Sequence, residues 1–210
     1  MRGKLIVFEG INGSGKTTLI NLFLKKYKDN LNIKYFKYPN RNTKTGIKID
    51  KFLKNEIELS LDESLKLFIS NILENVEQIE KLLNNGYNII CDRYVISTIV
   101  YNYNEIISRK IHNSIDNNII SNIVKSLNGL PKPDLVILIN GNHINNRKED
   151  IKERYHQSNN IYNIYINVLN SLNEKYLIIN NDDFNKTDNN INEITNKFIS
   201  LIYSININYY

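Results

Sequence analysis

The sequence predicts an α/β fold in which a five-stranded parallel sheet carries helices on both faces. Short apolar and β-branched runs, each about one strand long, alternate with segments whose apolar residues recur at helical spacing. The first run leads straight into the glycine-rich stretch GINGSGKT and then into a helical pattern. Strands that alternate with helices build parallel sheets buried on both sides, so we expect residues 1–210 to form one such domain.

Five segments have the character of strands. The run KLIVFEG is apolar up to its final residues, IKYFKYP is stopped by Pro39, and YNIICDRY carries Asp92 and Arg93 near its end. PKPDLVILING is introduced by two prolines, and KYLIIN is a short apolar run. The predicted strands are therefore residues 4–10, 33–39, 87–94, 131–141 and 175–180.

Helices are expected to fill most of the intervening segments, including residues 17–30, 61–86 and 191–203. The first of these is amphipathic, with an apolar face that comprises Leu19, Leu22, Phe23 and Tyr27. The second is a long pattern of apolar residues at helical spacing that stops at Gly86. We interpret it as one continuous helix.

Composition narrows the classes of protein to consider. The chain is 41% hydrophobic with a net charge of +5, which fits a globular protein with an anionic ligand. Lysine and arginine are scattered rather than arranged in a stripe, so nucleic acid is not expected as the main ligand. The single cysteine, Cys91, favours a reducing compartment, and no apolar run is long enough to span a membrane. These features predict a cytoplasmic protein without a membrane partner.

The stretch GINGSGKT fits G-x-x-x-x-G-K-[ST], the phosphate-binding loop, and it has the strand and helix that the motif requires. Its glycines let backbone N–H groups surround phosphate oxygens, Lys16 reaches the β and γ phosphates, and the Thr17 hydroxyl ligates Mg²⁺. We expect ATP to be bound by Gly10, Asn12, Gly13, Ser14, Gly15, Lys16, Thr17 and Thr18. The loop alone does not distinguish hydrolysis from transfer of the third phosphate.

Two further groups of charged residues follow strand ends, where ligands bind in parallel α/β folds. Asp92 can hold Mg²⁺ through water and Arg93 can fork onto a phosphate, although the two could instead form a structural ion pair. Arg41 is placed to meet a second anion, or it is a solvated surface arginine. These positions predict a site for two phosphate-bearing molecules.

The polar segment at about 142–160 is predicted to be a mobile lid. It brings four cations together, and such a segment can supply positive charge to a migrating phosphoryl group. The alternative is a solvated helix face, since acidic residues are interspersed. The cations are Arg147, Lys148, Lys152 and Arg154.

Phe68 lies on the apolar face of the long helical pattern, where it faces either the core or a pocket that stacks a base. The three histidines show no metal-ligand spacing, so no zinc site is expected.

Several motifs together resemble the thymidylate kinases, in particular the viral and eukaryotic-type enzymes, over roughly residues 1–203. They are IVFEGINGSGKTT, YPNRNTKTG, LFISNILE, IICDRYVIS, GLPKPDLVILI and ERYH, in the family's order. RNTKTG and GLPKPDLV are most similar to poxvirus and related viral enzymes. The resemblance implies the P-loop nucleoside monophosphate kinase fold and γ-phosphoryl transfer from ATP·Mg²⁺ to dTMP. It also implies a homodimer, in the host cytoplasm if the protein is viral.

The resemblance also implies roles for individual residues. Arg41 and Arg93 would hold the acceptor phosphate, and Phe68 would stack on the base. Tyr101 would crowd the sugar 2′ position, with Ser97 and Tyr155 lining the same pocket. Glu9 and Asp92 would lie beside the metal that Thr17 binds.

The sequence departs from the family where the base and the phosphates are read. Asn12 replaces an acid, and Gly13 replaces an arginine found in one branch, so Arg147, or else Lys152, would supply the catalytic cation. Ile72 replaces an arginine that bonds thymine, and Ile161 replaces a glutamine unless Gln157 takes that role. Thr98 replaces a glycine. Fewer polar base contacts imply weaker discrimination, so other deoxynucleotides could be accepted.

Three functions are alternatives to a thymidylate kinase. A catalytically weak homologue that binds nucleotide or protein is favoured by Asn12, Ile72 and Ile161 but opposed by the intact phosphate-binding residues. A GTPase switch would require an N-K-x-D motif, where the chain instead has NGNHINN. A nucleoside kinase would leave Arg41 without an acceptor phosphate.

Overall fold

The predicted sheet is present in the computed structural model, which describes residues 1–108, 127, 129–141, 160–183 and 186–203. Five strands pair in parallel in the order β2-β3-β1-β4-β5, so the prediction of a five-stranded parallel sheet is confirmed. The strands are β1 Leu5–Gly10, β2 Ile33–Lys37, β3 Asn88–Asp92, β4 Leu135–Asn140 and β5 Tyr176–Asn180.

Helices pack on both faces of this sheet. Those in the described residues are α1 Lys16–Tyr27, α2 Lys44–Leu53, α3 Leu61–Leu73, α4 Val76–Asn84, α5 Val95–Ser108, α6 Ile161–Ser171 and α7 Thr187–Tyr203. Successive side chains of a strand point to opposite faces, and in β1 both sets are buried. Leu5 and Val7 pack with α4, α5 and α6, whereas Ile6 and Phe8 pack with α1 and α7.

The prediction of one helix over residues 61–86 is wrong, because the segment forms α3 and α4 with a break at Glu74 and Asn75. Asn75 has a non-helical backbone and bonds through its N–H to the Ile72 carbonyl oxygen at 3.1 Å. The apolar periodicity did not reveal the break because both helices bury their apolar residues in the same core cluster.

The predicted apolar face of α1 needs one correction. Leu19 and Phe23 are buried, but Leu22 is 39% exposed. Ile20 occupies the core instead, since the residues that α1 buries are Lys16, Leu19, Ile20 and Phe23.

The parallel sheet brings the ends of its strands to one edge. In the register of the sheet, Lys37 of β2 lies opposite Asp92 of β3, and Gly10 of β1 lies opposite Ile139 of β4. The residues that follow β1, β2 and β3 carry the motifs singled out above, so the fold gathers them at the edge where α/β proteins bind ligands. No helix in the described part of the chain is long and apolar enough to cross a membrane.

Candidate active site

The loop after β1 adopts a conformation that needs glycine. Gly10, Gly13 and Gly15 have φ angles of 142°, 79° and 80°, a region that residues with a Cβ rarely adopt. At Gly10 a Cβ would also come within 2.4 Å of the Ile139 carbonyl oxygen on β4. Gly15 is the residue immediately before α1, so the loop ends at the positive end of a helix.

Two buried asparagines, one after β5 and one on α7, hold this loop. The side-chain amide of Asn181, which follows β5, donates to the Ser14 carbonyl oxygen at 2.9 Å. Asn190 on α7 in turn donates to the Asn181 side-chain oxygen at 3.1 Å. The sequence did not predict these contacts. Asparagine is so frequent in the chain that two successive asparagines after a strand do not indicate a structural role.

Lys16 and Thr17, which follow the loop, contact Asp92 at the end of β3. The Lys16 ammonium is 3.0 Å from Asp92 Oδ1, and the Thr17 hydroxyl donates to Asp92 Oδ2 at 3.4 Å. Burial, together with the nearby Arg93 guanidinium, lowers the pKa of Lys16 to about 8. Phosphate oxygens would compensate this buried cation, so the arrangement favours an anionic ligand.

The same group fits a magnesium ion. A hydroxyl and a carboxylate are the hard oxygen ligands that Mg²⁺ prefers, commonly with several waters retained. Thr17 and Asp92 are already within hydrogen-bond distance. Within the described residues there is no cluster of three or more His, Cys, Asp or Glu side chains that could enclose a metal. The chemistry therefore suits an ion shared with a phosphate-bearing ligand.

The Glu9 carboxylate contacts the first residues of α5 and the residue before it. Its carboxylate is fully buried, and Oε1 accepts hydrogen bonds from the backbone N–H groups of Tyr94 and Ser97 at 3.0 and 3.1 Å. Oε2 accepts a short hydrogen bond from the Ser97 hydroxyl. Burial raises the pKa of this carboxyl. These contacts hold the start of α5, and the position of Glu9 beside a metal stays a prediction.

Arg93 contacts the phosphate-binding loop directly. Its Nη1 donates to the Gly10 carbonyl oxygen at 2.9 Å, and its Nη2 donates to Asn12 Oδ1 at 2.5 Å. Nη1 also lies within hydrogen-bond distance of the Ser97 hydroxyl. Arg93 has a φ angle of 67°, which is unfavourable for an arginine and therefore has to be compensated by such contacts.

Tyr101 is stacked against this arginine. The Arg93 guanidinium carbon lies 5.4 Å from the centre of the Tyr101 ring, a cation–π distance. Ser97 and Tyr101 are both almost fully buried and lie one helical turn apart on α5. The structure thus brings together Arg93, Ser97 and Tyr101, which the sequence assigned to one pocket.

Arg41 is held by α2. Its guanidinium forms a short ion pair with Asp50, which also pairs with Lys54 at 2.6 Å. The backbone beside it is fixed by Asn71, a buried side chain on α3 that bonds the N–H and the carbonyl oxygen of Asn40 at 2.7 and 3.1 Å. Sequence reasoning missed Asn71, although a lone asparagine on the buried side of an apolar helix could have indicated it.

The predicted base pocket is apolar where the family has polar groups. Ile72 and Ile161 are 1% and 3% exposed and belong to the same core cluster. Phe68 is half-buried on α3, and Thr98 is almost fully buried on α5. Neither isoleucine can donate or accept a hydrogen bond, so neither can replace a polar contact to a base.

Residues 142–159 lie outside the described residues, and with them most of the predicted lid. The assignments of Arg147, Lys152, Tyr155 and Gln157 therefore stay predictions. Within the described loop, Thr18 is exposed in the first turn of α1 and Gly13 is half-buried.

Comparison with known proteins gives one family. The model of the thymidylate kinase family matches residues 8–195. A thymidylate kinase of Plasmodium falciparum is 34% identical, with 78% of this chain and 76% of that protein covered. A thymidylate kinase homologue of Invertebrate iridescent virus 6 is 35% identical over 67% of this chain and 61% of its own.

Solved structures agree with these relatives. The structure of thymidylate kinase from Candida albicans, described as revealing the origin of broad substrate specificity, superposes with a TM-score of 0.73. It is 30% identical to this chain, and the superposition covers 94% of this chain and 93% of that one. The matched residues include the phosphate-binding loop from Gly10 and the Asp92–Arg93 pair. The chain belongs to the thymidylate kinase family.

Proposed function

We propose that this chain is an ATP-dependent thymidylate kinase, which transfers the γ-phosphoryl group of ATP to dTMP and releases ADP and dTDP. The observation that carries this proposal is the direct contact between Arg93 and the phosphate-binding loop, at the Gly10 carbonyl and the Asn12 side chain. A loop that only hydrolyses a nucleotide needs no arginine for a second phosphate. An arginine bonded to the loop can hold an acceptor phosphate beside the γ-phosphate.

The donor side of the reaction rests on Lys16 and the loop backbone. In phosphoryl transfer the protein contributes positioning and positive charge around the transferred group rather than covalent chemistry. Lys16 is buried and oriented by Asp92, so it presents its charge in a fixed direction. A Mg²⁺ ion held by Thr17 and Asp92 would neutralise charge on the phosphates. The further positive charge beside the transferred phosphoryl group would come from the predicted lid, from Arg147 or else Lys152.

The acceptor side rests on Arg93, Ser97 and Tyr101, with Arg41 and Phe68 completing the pocket. The guanidinium of Arg93 carries five N–H donors, two of which are on Nη1 and face protein acceptors. Its three other N–H donors are on Nε and Nη2, and one of those on Nη2 is given to Asn12 Oδ1, so an acceptor phosphate would be bound from the Nε and Nη2 side of the guanidinium. Tyr101 beside it would favour deoxyribose.

Base selectivity is proposed to be broad. Ile72 and Ile161 offer apolar contacts only, and an apolar pocket discriminates between bases more weakly than one that must pair polar atoms. The Candida albicans relative is described as having broad substrate specificity, which supports the same property here.

We further propose that the protein acts as a cytoplasmic homodimer.

The discriminating experiment is a coupled ADP-release assay over dTMP, dUMP, dGMP, dCMP and their ribonucleotide forms. We expect turnover with dTMP and a smaller but measurable turnover with at least one other deoxynucleotide. Arg93→Ala should reduce kcat/KM by several orders of magnitude, since a charge-assisted phosphate contact is lost. ATP binding without turnover on any acceptor would contradict the proposal and indicate a binding protein.

A further inference from the structure

We propose that Tyr165, on α6, is a positioning residue that fixes Arg93 for the acceptor phosphate. This inference rests on the proposed function, because it concerns how the acceptor arginine is oriented. Tyr165 was not singled out in the sequence, where it falls on the apolar face of a helix and looks like core. Its ring is fully buried, but its hydroxyl lies among the polar groups of the site.

The Tyr165 hydroxyl joins three elements at one point. It accepts a hydrogen bond from Arg93 Nη1 at 3.1 Å and lies 3.0 Å from the Ser97 hydroxyl on α5. It also donates to the Gly10 carbonyl oxygen at 3.3 Å. The Ser97 hydrogen is given to Glu9, so the single phenolic hydrogen is shared between Ser97 Oγ and the Gly10 carbonyl oxygen, while a phenolic lone pair accepts from Arg93. Arg93, α5 and the phosphate-binding loop therefore meet on one hydroxyl.

The Tyr165 ring supports the same arrangement. It packs edge-on against the Tyr101 ring, with centroids 6.4 Å apart and an interplanar angle of 87°. Tyr101 in turn lies under the Arg93 guanidinium at 5.4 Å. The arginine is thus held by the ring of one tyrosine and the hydroxyl of another.

The position of Arg93 needs such support. Its positive φ is unfavourable, and its long side chain would otherwise sample several rotamers. The two Nη1 hydrogens are shared among Tyr165, Ser97 and Gly10, so the guanidinium cannot rotate without losing these contacts. Its Nε and Nη2 donors consequently point in one direction before the acceptor arrives, and such preorganisation lowers the entropic cost of binding.

The test is Tyr165→Phe, which keeps the ring and removes the hydroxyl, with Tyr162→Phe on the same helix as the matched control. We expect the KM for dTMP to rise about tenfold, the usual effect of losing one hydrogen bond to a charged group, while the KM for ATP changes less than about twofold. Tyr162→Phe should leave both KM values unchanged.

A second measurement separates positioning from packing. In a double-mutant cycle with Arg93→Lys, the effect of Tyr165→Phe on the acceptor KM should disappear, because lysine has no Nη1 for the hydroxyl to hold. Equal effects of Tyr165→Phe in both backgrounds, or a lowered melting temperature with an unchanged acceptor KM, would overturn the proposal.

The Arg93 side-chain Nε–H resonance in protein labelled with ¹⁵N-arginine provides a readout that is independent of turnover. We expect it to broaden or shift in Tyr165→Phe and to be unchanged in Tyr162→Phe. An unchanged resonance would refute the inference even if the chain phosphorylated no nucleotide, whereas a wild-type protein without turnover would refute the proposed function alone.

Discussion

Asn12 is the residue through which the phosphate-binding loop bonds the Arg93 side chain. It occupies one of the variable positions of the phosphate-binding loop, and its side-chain oxygen accepts a hydrogen bond from Arg93 Nη2. The family usually has an acid at this position. An amide keeps the hydrogen bond but leaves the charge of the arginine uncompensated by this neighbour, so more of that charge is available to an acceptor phosphate.

Asn12→Asp should therefore alter acceptor binding. A carboxylate in this position forms an ion pair with Arg93 and competes with the acceptor phosphate, so we expect the KM for dTMP to rise about three- to tenfold. The KM for ATP should change less. Asn21→Asp, which adds the same charge at an exposed position on α1, is the control. Equal KM values for dTMP in Asn12→Asp and wild type would show that Arg93 does not bind the acceptor.

Ile72 illustrates why the family's base-reading arginine cannot simply be restored. It is 1% exposed within the core cluster, whereas its neighbour Leu73 is 45% exposed. We expect Ile72→Arg to lower the free energy of unfolding by about 2–5 kcal/mol, because it buries a charge without a partner. Leu73→Arg should lower it by less than about 0.5 kcal/mol.

Urea denaturation followed by circular dichroism measures both variants. If Ile72→Arg kept wild-type stability and also lowered the KM for dTMP, position 72 would have room for a polar base contact, and the expectation that the core excludes an arginine there would be wrong.

Among the helices, α3 fixes the conformation of a neighbouring connection. Its buried Asn71 bonds the backbone of Asn40 and the hydroxyls of Thr43 and Thr45, so one side chain shapes the connection between β2 and α2. The Thr43 hydroxyl also accepts a hydrogen bond from the Gly46 N–H at the start of α2. Arg41 lies within this connection, and its placement therefore depends on α3.

Asn71→Ala should affect both stability and acceptor binding. It leaves the Asn40 N–H without its side-chain partner, while the Asn40 carbonyl oxygen keeps the Thr43 hydroxyl, and we expect a cost of about 1–3 kcal/mol of unfolding free energy. The KM for dTMP should rise while the KM for ATP is preserved, because the phosphate-binding loop is elsewhere. Ser70→Ala, at an exposed position on the same helix, serves as the control. A stability loss without any change in the KM for dTMP would contradict the assigned role of Arg41.

The elements also show where sequence patterns are informative. Strands were predicted to within a few residues because each is a compact apolar run, bounded by proline or glycine or by the motif residues. The break between α3 and α4 was not predicted, because both helices bury apolar residues in the same core and the apolar spacing continues across Asn75. Helical periodicity reports which face is buried and does not report a change in helix direction.

In the molecule as a whole, the parallel sheet explains why motifs far apart in the sequence could be predicted to lie at one edge. Parallel strands end at one edge, so residues far apart in sequence, such as Lys16 and Asp92, come within 3.0 Å. Residues outside the motifs whose side chains hydrogen-bond to motif residues were not predicted. Tyr165, Asn71 and Asn181 each lie in a segment that reads as core or as a turn, and only their hydrogen-bond partners reveal them.

In the proposed reaction the γ-phosphoryl group passes to a second nucleotide rather than to water. This transfer can be followed with radiolabel from [γ-³²P]ATP, using purified protein, Mg²⁺ and unlabelled dTMP. We predict that the label appears in dTDP and that little appears in inorganic phosphate. Lys16→Ala should abolish the transfer, and Lys25→Ala, at an exposed position on α1, should not. Label that appeared in inorganic phosphate, whether or not dTMP was present, would contradict the account.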